Sequence, residues 1–258
     1  MKMLDLFSGI GGFAVSAKWA LGNKVKIAGF CEIDEFCQTI LEKHFPKVPI
    51  YDDVRNVNNR IIKTKIDIVT GGFPCQDISL AGKGKGIEGE RSGLWKEMFR
   101  IIGEFRPRWA IIENVSALTS RGLTVVLNDL AKAGYDAEWQ CISAKEVGAR
   151  HKRERIWIVA YPSSLRLQCK KKDQELAWER FGKPSSRNGV SVEKDCLSKS
   201  RVGRVVDGVS YWLHEPKGVP RTNRQGLDRK DRIHALGNSI VPQIPYLIFK
   251  KIKEIEGL

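Results

Sequence analysis

Short apolar runs predict buried strands at residues 2–7, 26–31, 66–69, 109–112, 137–142 and 156–159. Between them lie stretches with helical spacing, at residues 14–21, 36–45, 94–105 and 123–133, and an apolar helix at 244–255 closes the chain. From Pro162 to about Asp231 no rhythm is sustained. That stretch is rich in Lys, Arg, Ser and Gly, with scattered aromatics at Trp178, Phe181, Tyr211 and Trp212. It is expected to be a small loop-rich domain or partly disordered. Order returns at His234. The expected division is therefore a body at 1–161, completed by 232–258, with 162–231 as a separate region.

At 258 residues with 42% hydrophobic content, the chain is large enough for one substantial core and a small second unit. The 44 Lys and Arg against 30 Asp and Glu give a net charge of +14. The excess is local: residues 150–232 carry 21 basic and 10 acidic side chains, whereas residues 1–149 carry 20 and 18. A basic third of this kind points to a polyanionic partner, with nucleic acid leading.

The six cysteines form no C-x-x-C pair and the four histidines are scattered, so no zinc or other metal site is expected. No secretory segment precedes the first strand, and no apolar run approaches the roughly 20 residues that span a bilayer. The expectation is a cytoplasmic protein with reduced thiols and no membrane partner.

The candidate chemistry sits where strands end. The first strand runs into Ser8-Gly9-Ile10-Gly11-Gly12 and then a helix, the opening of a nucleotide-binding α/β unit. Its spacing is not the dinucleotide fingerprint G-x-G-x-x-G, which argues against NAD. Glu32 ends the second strand, about twenty positions on, where an acid is placed to accept from ribose hydroxyls. The strand at 66–69 leads to Gly71-Gly72-Phe73-Pro74-Cys75-Gln76, a turn that presents one thiol at a strand's carboxyl end. Taken alone, Cys75 is either a buried structural thiol or a nucleophile. Residues 81–86 alternate glycine and lysine and are either a plain linker or a loop that closes on phosphates. Glu113 ends another strand and should share a rim with Glu32 and Cys75. Arg150, Arg153 and Arg155 precede the strand at 156–159, as a row of donors or a solvated basic edge.

Taken in order, Asp5-Leu6-Phe7-Ser8-Gly9-Ile10-Gly11-Gly12, Gly72-Phe73-Pro74-Cys75-Gln76, Glu113-Asn114-Val115, Arg153-Glu154-Arg155 and Gly237-Asn238-Ser239 resemble the motifs of DNA (cytosine-5)-methyltransferases of compact bacterial or phage type. The resemblance covers most of the chain outside 162–231. It implies a class I, S-adenosylmethionine-dependent fold: a twisted, mostly parallel sheet with helices on both faces. It also implies that 162–231 is a target-recognition region reading double-stranded DNA, in a protein acting as a monomer.

By resemblance, Phe7, Ser8, Gly9 and Gly11 hold S-adenosylmethionine, Glu32 its ribose and Ile33 its adenine. Asp53, with Val54 beside it, meets the adenine amino group. Asn238 and Ser239 close the methionine side, and Pro74 lies next to the cofactor. Cys75 is the nucleophile, Glu113 the acid at the cytosine ring, and Arg155 a donor to the base carbonyl, supported by Arg153. Two departures stand out. His151 occupies a position where the family usually has Gln, and residues 228–232 do not resemble the usual penultimate motif. Rival readings are an RNA cytosine methyltransferase, which differs from Gln76-Asp77-Ile78-Ser79 after the cysteine, and a DNA-binding module without turnover.

Overall fold

The structure is a computed structural model that describes residues 1–74, 93–149, 151–166 and 227–258. Cys75, the glycine-lysine stretch at 81–86, Arg150 and nearly all of residues 162–226 lie outside the described residues.

Seven strands form one sheet: β1 (Lys2–Leu6), β2 (Lys26–Cys31), β3 (Ile50–Tyr51), β4 (Ile68–Gly71), β5 (Trp109–Val115), β6 (Tyr135–Ser143) and β7 (Glu154–Pro162). Their order is β3-β2-β1-β4-β5-β7-β6. The pairs from β3 through to β5 are parallel, while β7 runs antiparallel to both β5 and β6. The helices are α1 (Gly12–Leu21), α2 (Glu35–His44), α3 (Leu94–Phe105), α4 (Leu118–Arg121), α5 (Leu123–Lys132), α6 (Ser163–Arg166), α7 (Leu227–Asn238) and α8 (Gln243–Ile255).

Successive side chains of a strand point to opposite faces, and the buried strands divide their residues accordingly. Leu4, Leu6, Val69, Ala110, Ile112, Ile156 and Ile158 face α3 and α5, meeting Trp95, Met98, Ile101, Val126 and Leu130. Met3, Ile27, Ile68, Trp109, Ile111 and Trp157 face the other way, meeting Phe13, Ala17 and Leu21 of α1 and Ile244, Ile248 and Ile252 of α8. Parallel central strands covered on both sides read as unbroken apolar runs, which is how they appear in the sequence.

The strand and helix expectations hold, with boundary shifts at β4, β5, β6 and β7 and at the start of α1; β5 runs on through Glu113 to Val115. Four elements are new: β3, α4, α6 and α7, the last taking in residues 228–232, read as irregular from the sequence. The charged sequence of α7 carries no apolar stripe, so helical periodicity is absent there. The last helix returns to the first: Ser16 Oγ of α1 donates to Pro242 O at 2.8 Å. At its far end Glu256 Oε1 accepts from Trp109 Nε1 at 2.8 Å and from Arg108.

Candidate active site

The carboxyl ends of β1, β2, β4 and β5 open into a single cleft of about 550 Å³. In open α/β sheets this rim is where ligands bind.

Its first wall is the turn after β1. Phe7, Gly9 and Gly11 all have positive φ (52°, 51° and 84°), so the chain coils tightly before α1. At Gly11 the conformation and the neighbours agree, because a Cβ there would stand 3.0 Å from Leu41 Cδ2. Ser8 ties this turn to β2: its N donates to Cys31 O at 3.0 Å and its Oγ to Asp5 O at 2.7 Å. Glu32 takes the turn from the other side, with Gly9 N donating to Oε2 at 2.6 Å and Asp34 N to Oε1 at 2.9 Å. Burial pushes Glu32 above the usual carboxylate range, and those backbone donors oppose the shift. Ile33 beside it is 76% exposed, an apolar side chain left bare on a ligand wall.

The second wall follows β3. Asp53 Oδ1 accepts from Arg55 N at 2.9 Å and caps the short turn Val54–Asn56. Asp53 and Val54 both line the cleft. Cys31 and Cys37 line it as well. Burial, then Glu32 and further carboxylates, push the Cys31 thiol up to about 12. Burial, Glu32 and Asp34 raise Cys37 in the same way, and burial with Glu154 raises Cys141. The cysteines among the described residues are thus poor nucleophiles at neutral pH.

The third wall joins β4, β5 and β7. Arg155 stands diagonally across the β5–β7 ladder from Glu113, so both side chains leave the same face. Arg155 Nε meets Glu113 Oε1 at 3.0 Å. Glu113 is 8% exposed, and burial lifts its carboxyl above the usual range while Arg155 and Arg153 pull it back. Gly72 lies against Glu113 Oε2. Asn114 Nδ2 donates to Phe73 O at 3.1 Å, fixing the backbone two residues before Cys75.

The remaining arginine does something else. Arg153 Nη1 donates to Gly237 O at 2.8 Å and Nη2 to Ser239 O at 2.7 Å. Arg153 and Arg155 therefore do not form one row of donors. The first clasps the α7–α8 junction and the second holds the acid, because the chain around Gly237 and Ser239 supplies carbonyls to Arg153.

Of the residues singled out in the sequence, Phe7, Gly9, Glu32, Ile33, Asp53, Val54, Pro74, Glu113, Arg153, Arg155 and Asn238 line this cleft. Ser8, Gly11 and Ser239 are not among the lining residues; they shape the turns behind it. Cys75, the next residue after Pro74, is outside the described residues. The sequence reading named Asn114 and Gly237 within motifs but gave them no role, and it missed His234, whose Nε2 lies 3.1 Å from Asn238 Nδ2. A polar residue directly after the strand-ending acid was the available signal for Asn114. His151 Nε2 is buried without a partner among the described residues.

This sheet order, with one reversed strand beside an edge and a cleft at the carboxyl ends, is the class I methyltransferase fold. A solved methyltransferase from Entamoeba histolytica, EhMeth, superposes with a TM-score of 0.67 over 98% of this chain and 98% of its own, at 17% identity. Residues 1–206 match the family model for C-5 cytosine-specific DNA methylases, and the chain belongs to that family. It is similar to the type II methyltransferase M.DsaV of Dactylococcopsis salina, 34% identical over 93% of this chain and 64% of that protein. It is also similar to M2.BsuMI of Bacillus subtilis, 35% identical over 62% of this chain and 42% of that protein. The chain thus spans about two fifths to two thirds of the length of these curated relatives. Among the described residues no helix is long and apolar enough to cross a membrane, and no group of His, Cys, Asp and Glu could hold a metal ion.

Proposed function

We propose that the protein methylates C5 of cytosine in double-stranded DNA, using S-adenosylmethionine, as a monomer in the cytoplasm. The observation that carries this reading is the pairing of buried Glu113 with Arg155 at 3.0 Å, on the rim that Pro74 shares with the glycine turn and Glu32.

The cleft fits the cofactor. Glu32 would accept from ribose hydroxyls, exposed Ile33 would offer a face to adenine, and Asp53, beside Val54, would accept from the adenine amino group. Asn238, which also lines the cleft, would close the methionine side. When bound, S-adenosylmethionine supplies the electrophile, a methyl group on a sulfonium.

Cytosine C5 is a poor nucleophile, and addition of a thiolate at C6 makes it enamine-like. Cys75 is the candidate for that addition, supported by the unreactive settings of Cys31, Cys37 and Cys141. Addition drives electron density onto N3 and O2 of the ring. Glu113 holds a proton at N3, and Arg155 donates to O2. Once C5 has taken the methyl group, its proton passes to a base or to water, and the C6–S bond breaks to release Cys75 as the thiolate. The ring is out of reach inside a duplex, so the base must be turned out of the stack. Residues 162–231, with half of the excess positive charge, are the proposed target-recognition region, and 1–161 with 232–258 the catalytic body.

Bisulfite sequencing of plasmid from cells expressing wild type or Cys75→Ser tests the reading. Protected cytosines in one short sequence context, present only with wild type, are expected. Equal protection with both proteins, or none with either, would sink it.

A further inference from the structure

The wall that carries Asp53 and Val54 has little structure of its own. β3 is two residues long, and the turn Val54–Asn56 has only short-range backbone bonds, Asn56 N to Asp53 O at 3.0 Å and Val57 N to Val54 O at 3.2 Å. Its position is set from another element. Arg100, on α3, sends Nη2 to Val54 O at 3.1 Å and to Val57 O at 2.9 Å. The guanidinium is aimed by two acids of its own helix: Nε meets Glu97 Oε2 at 2.8 Å and Nη1 meets Glu104 Oε1 at 2.7 Å. These stand three residues before and four after it, on the same helix face. Glu104 also accepts from Asn59 N at 3.3 Å, just beyond the turn. A planar fork with two edges committed leaves its third edge one direction to point.

The same helix braces the other wall. Leu94 lines the cleft, and the Trp95 ring packs at 5.5 Å from that of Phe73. One rigid helix therefore indexes both the adenine side and the target side.

We propose that Arg100 is a positioning residue for cofactor binding: it holds the Asp53–Val54 wall at the distance that S-adenosylmethionine requires. This rests on reading the cleft as an S-adenosylmethionine site. Arg100 touches no cofactor; it acts through the carbonyls of Val54 and Val57.

Calorimetric titration of S-adenosylmethionine into the full chain tests it, with wild type, Arg100→Met and Arg100→Lys. Arg100→Met should bind about tenfold more weakly, a factor equal to about 1.4 kcal/mol. Arg100→Lys keeps the charge without the fork and should fall between the two. KM for S-adenosylmethionine should rise in step, while kcat at saturating cofactor and affinity for duplex DNA stay within twofold of wild type. Wild-type affinity in both variants overturns the proposal, as does an equal loss of cofactor and DNA affinity, which a merely structural role would give. If Arg100→Met does not fold, wild-type affinity in Arg100→Lys alone overturns it. A wild type that binds no S-adenosylmethionine overturns the proposed function and this inference together; a wild type that binds beside unaffected variants overturns only this one.

Discussion

Glu113 Oε2 and Gly72 stand so close that a Cβ at position 72 would lie 2.8 Å from that oxygen. Only a residue without a side chain leaves the acid where Arg155 can hold it. Gly72→Ala should displace the carboxyl and lower kcat by roughly 10²-fold, the scale of a 1 Å misplacement. Methylation assays beside circular dichroism check this; unchanged turnover would show that the acid is not placed by Gly72.

Glu113→Gln keeps the shape of the side chain and removes its proton chemistry. The expected loss is roughly 10²- to 10⁴-fold in kcat. Burial raises the wild-type carboxyl, so its protonated form persists above the ordinary value of about 4.3 and disappears as pH rises through the folded value. The alkaline limb of the wild-type pH–rate profile should flatten in the variant, and an identical limb in both would assign it to another group.

Asp5 is fully buried in β1, with Oδ1 accepting from Thr70 Oγ1 at 2.6 Å and Oδ2 unpartnered among the described residues. Burial raises its carboxyl well above the usual range. A folded value above the unfolded value of about 3.9 contributes stability that is complete below that pH and is lost as pH rises through the folded value. Asp5→Asn imitates the protonated acid and does not titrate. Thermal melts should coincide near pH 4 and separate in favour of the variant as pH rises; a constant difference would mean that the carboxyl is not what titrates.

Ile33 is an exposed apolar side chain with a vacant face on the cleft. Ile33→Ala should weaken S-adenosylmethionine by about fivefold through lost apolar contact. The melting temperature should hold, since an exposed side chain contributes little to folding. Calorimetry read beside a melt separates the two, and unchanged affinity would remove Ile33 from the adenine wall.

Glu256 accepts from Trp109 Nε1, and Trp109 is 4% exposed. Glu256→Ala leaves that indole N–H buried without an acceptor, at a cost of roughly 1–3 kcal/mol. Chemical denaturation should show the loss, and an unchanged midpoint would mean that water reaches the site.

Much of this architecture was legible because its signals are local. Phe7 through Gly12, Glu32 and Glu113 each sit where an apolar run stops, and such stops become a cleft rim once strands lie parallel. The parts not legible depend on partners far along the chain. Arg153 looks like a donor for substrate until its guanidinium is found on the carbonyls of Gly237 and Ser239, 84 and 86 residues away. Arg100 looks like an ordinary member of a charged helix face, and nothing near it in sequence announces Val54 and Val57. Helix α7 escaped for another reason: a run of charges with no apolar stripe has no period to detect.

The clasp of Arg153 on the chain that re-enters at Gly237 has a consequence for how such a protein changes over time. Both ends of the intervening segment are anchored to one scaffold, through β7 on one side and α7 on the other. The entropy of closing a loop grows only with the logarithm of its length, so each doubling costs about 0.6 kcal/mol. Between these anchors, insertion, deletion or wholesale exchange leaves the fastenings of the body untouched. On the proposed function, the segment is a cassette, free to drift towards new target sequences while the chemistry stays fixed.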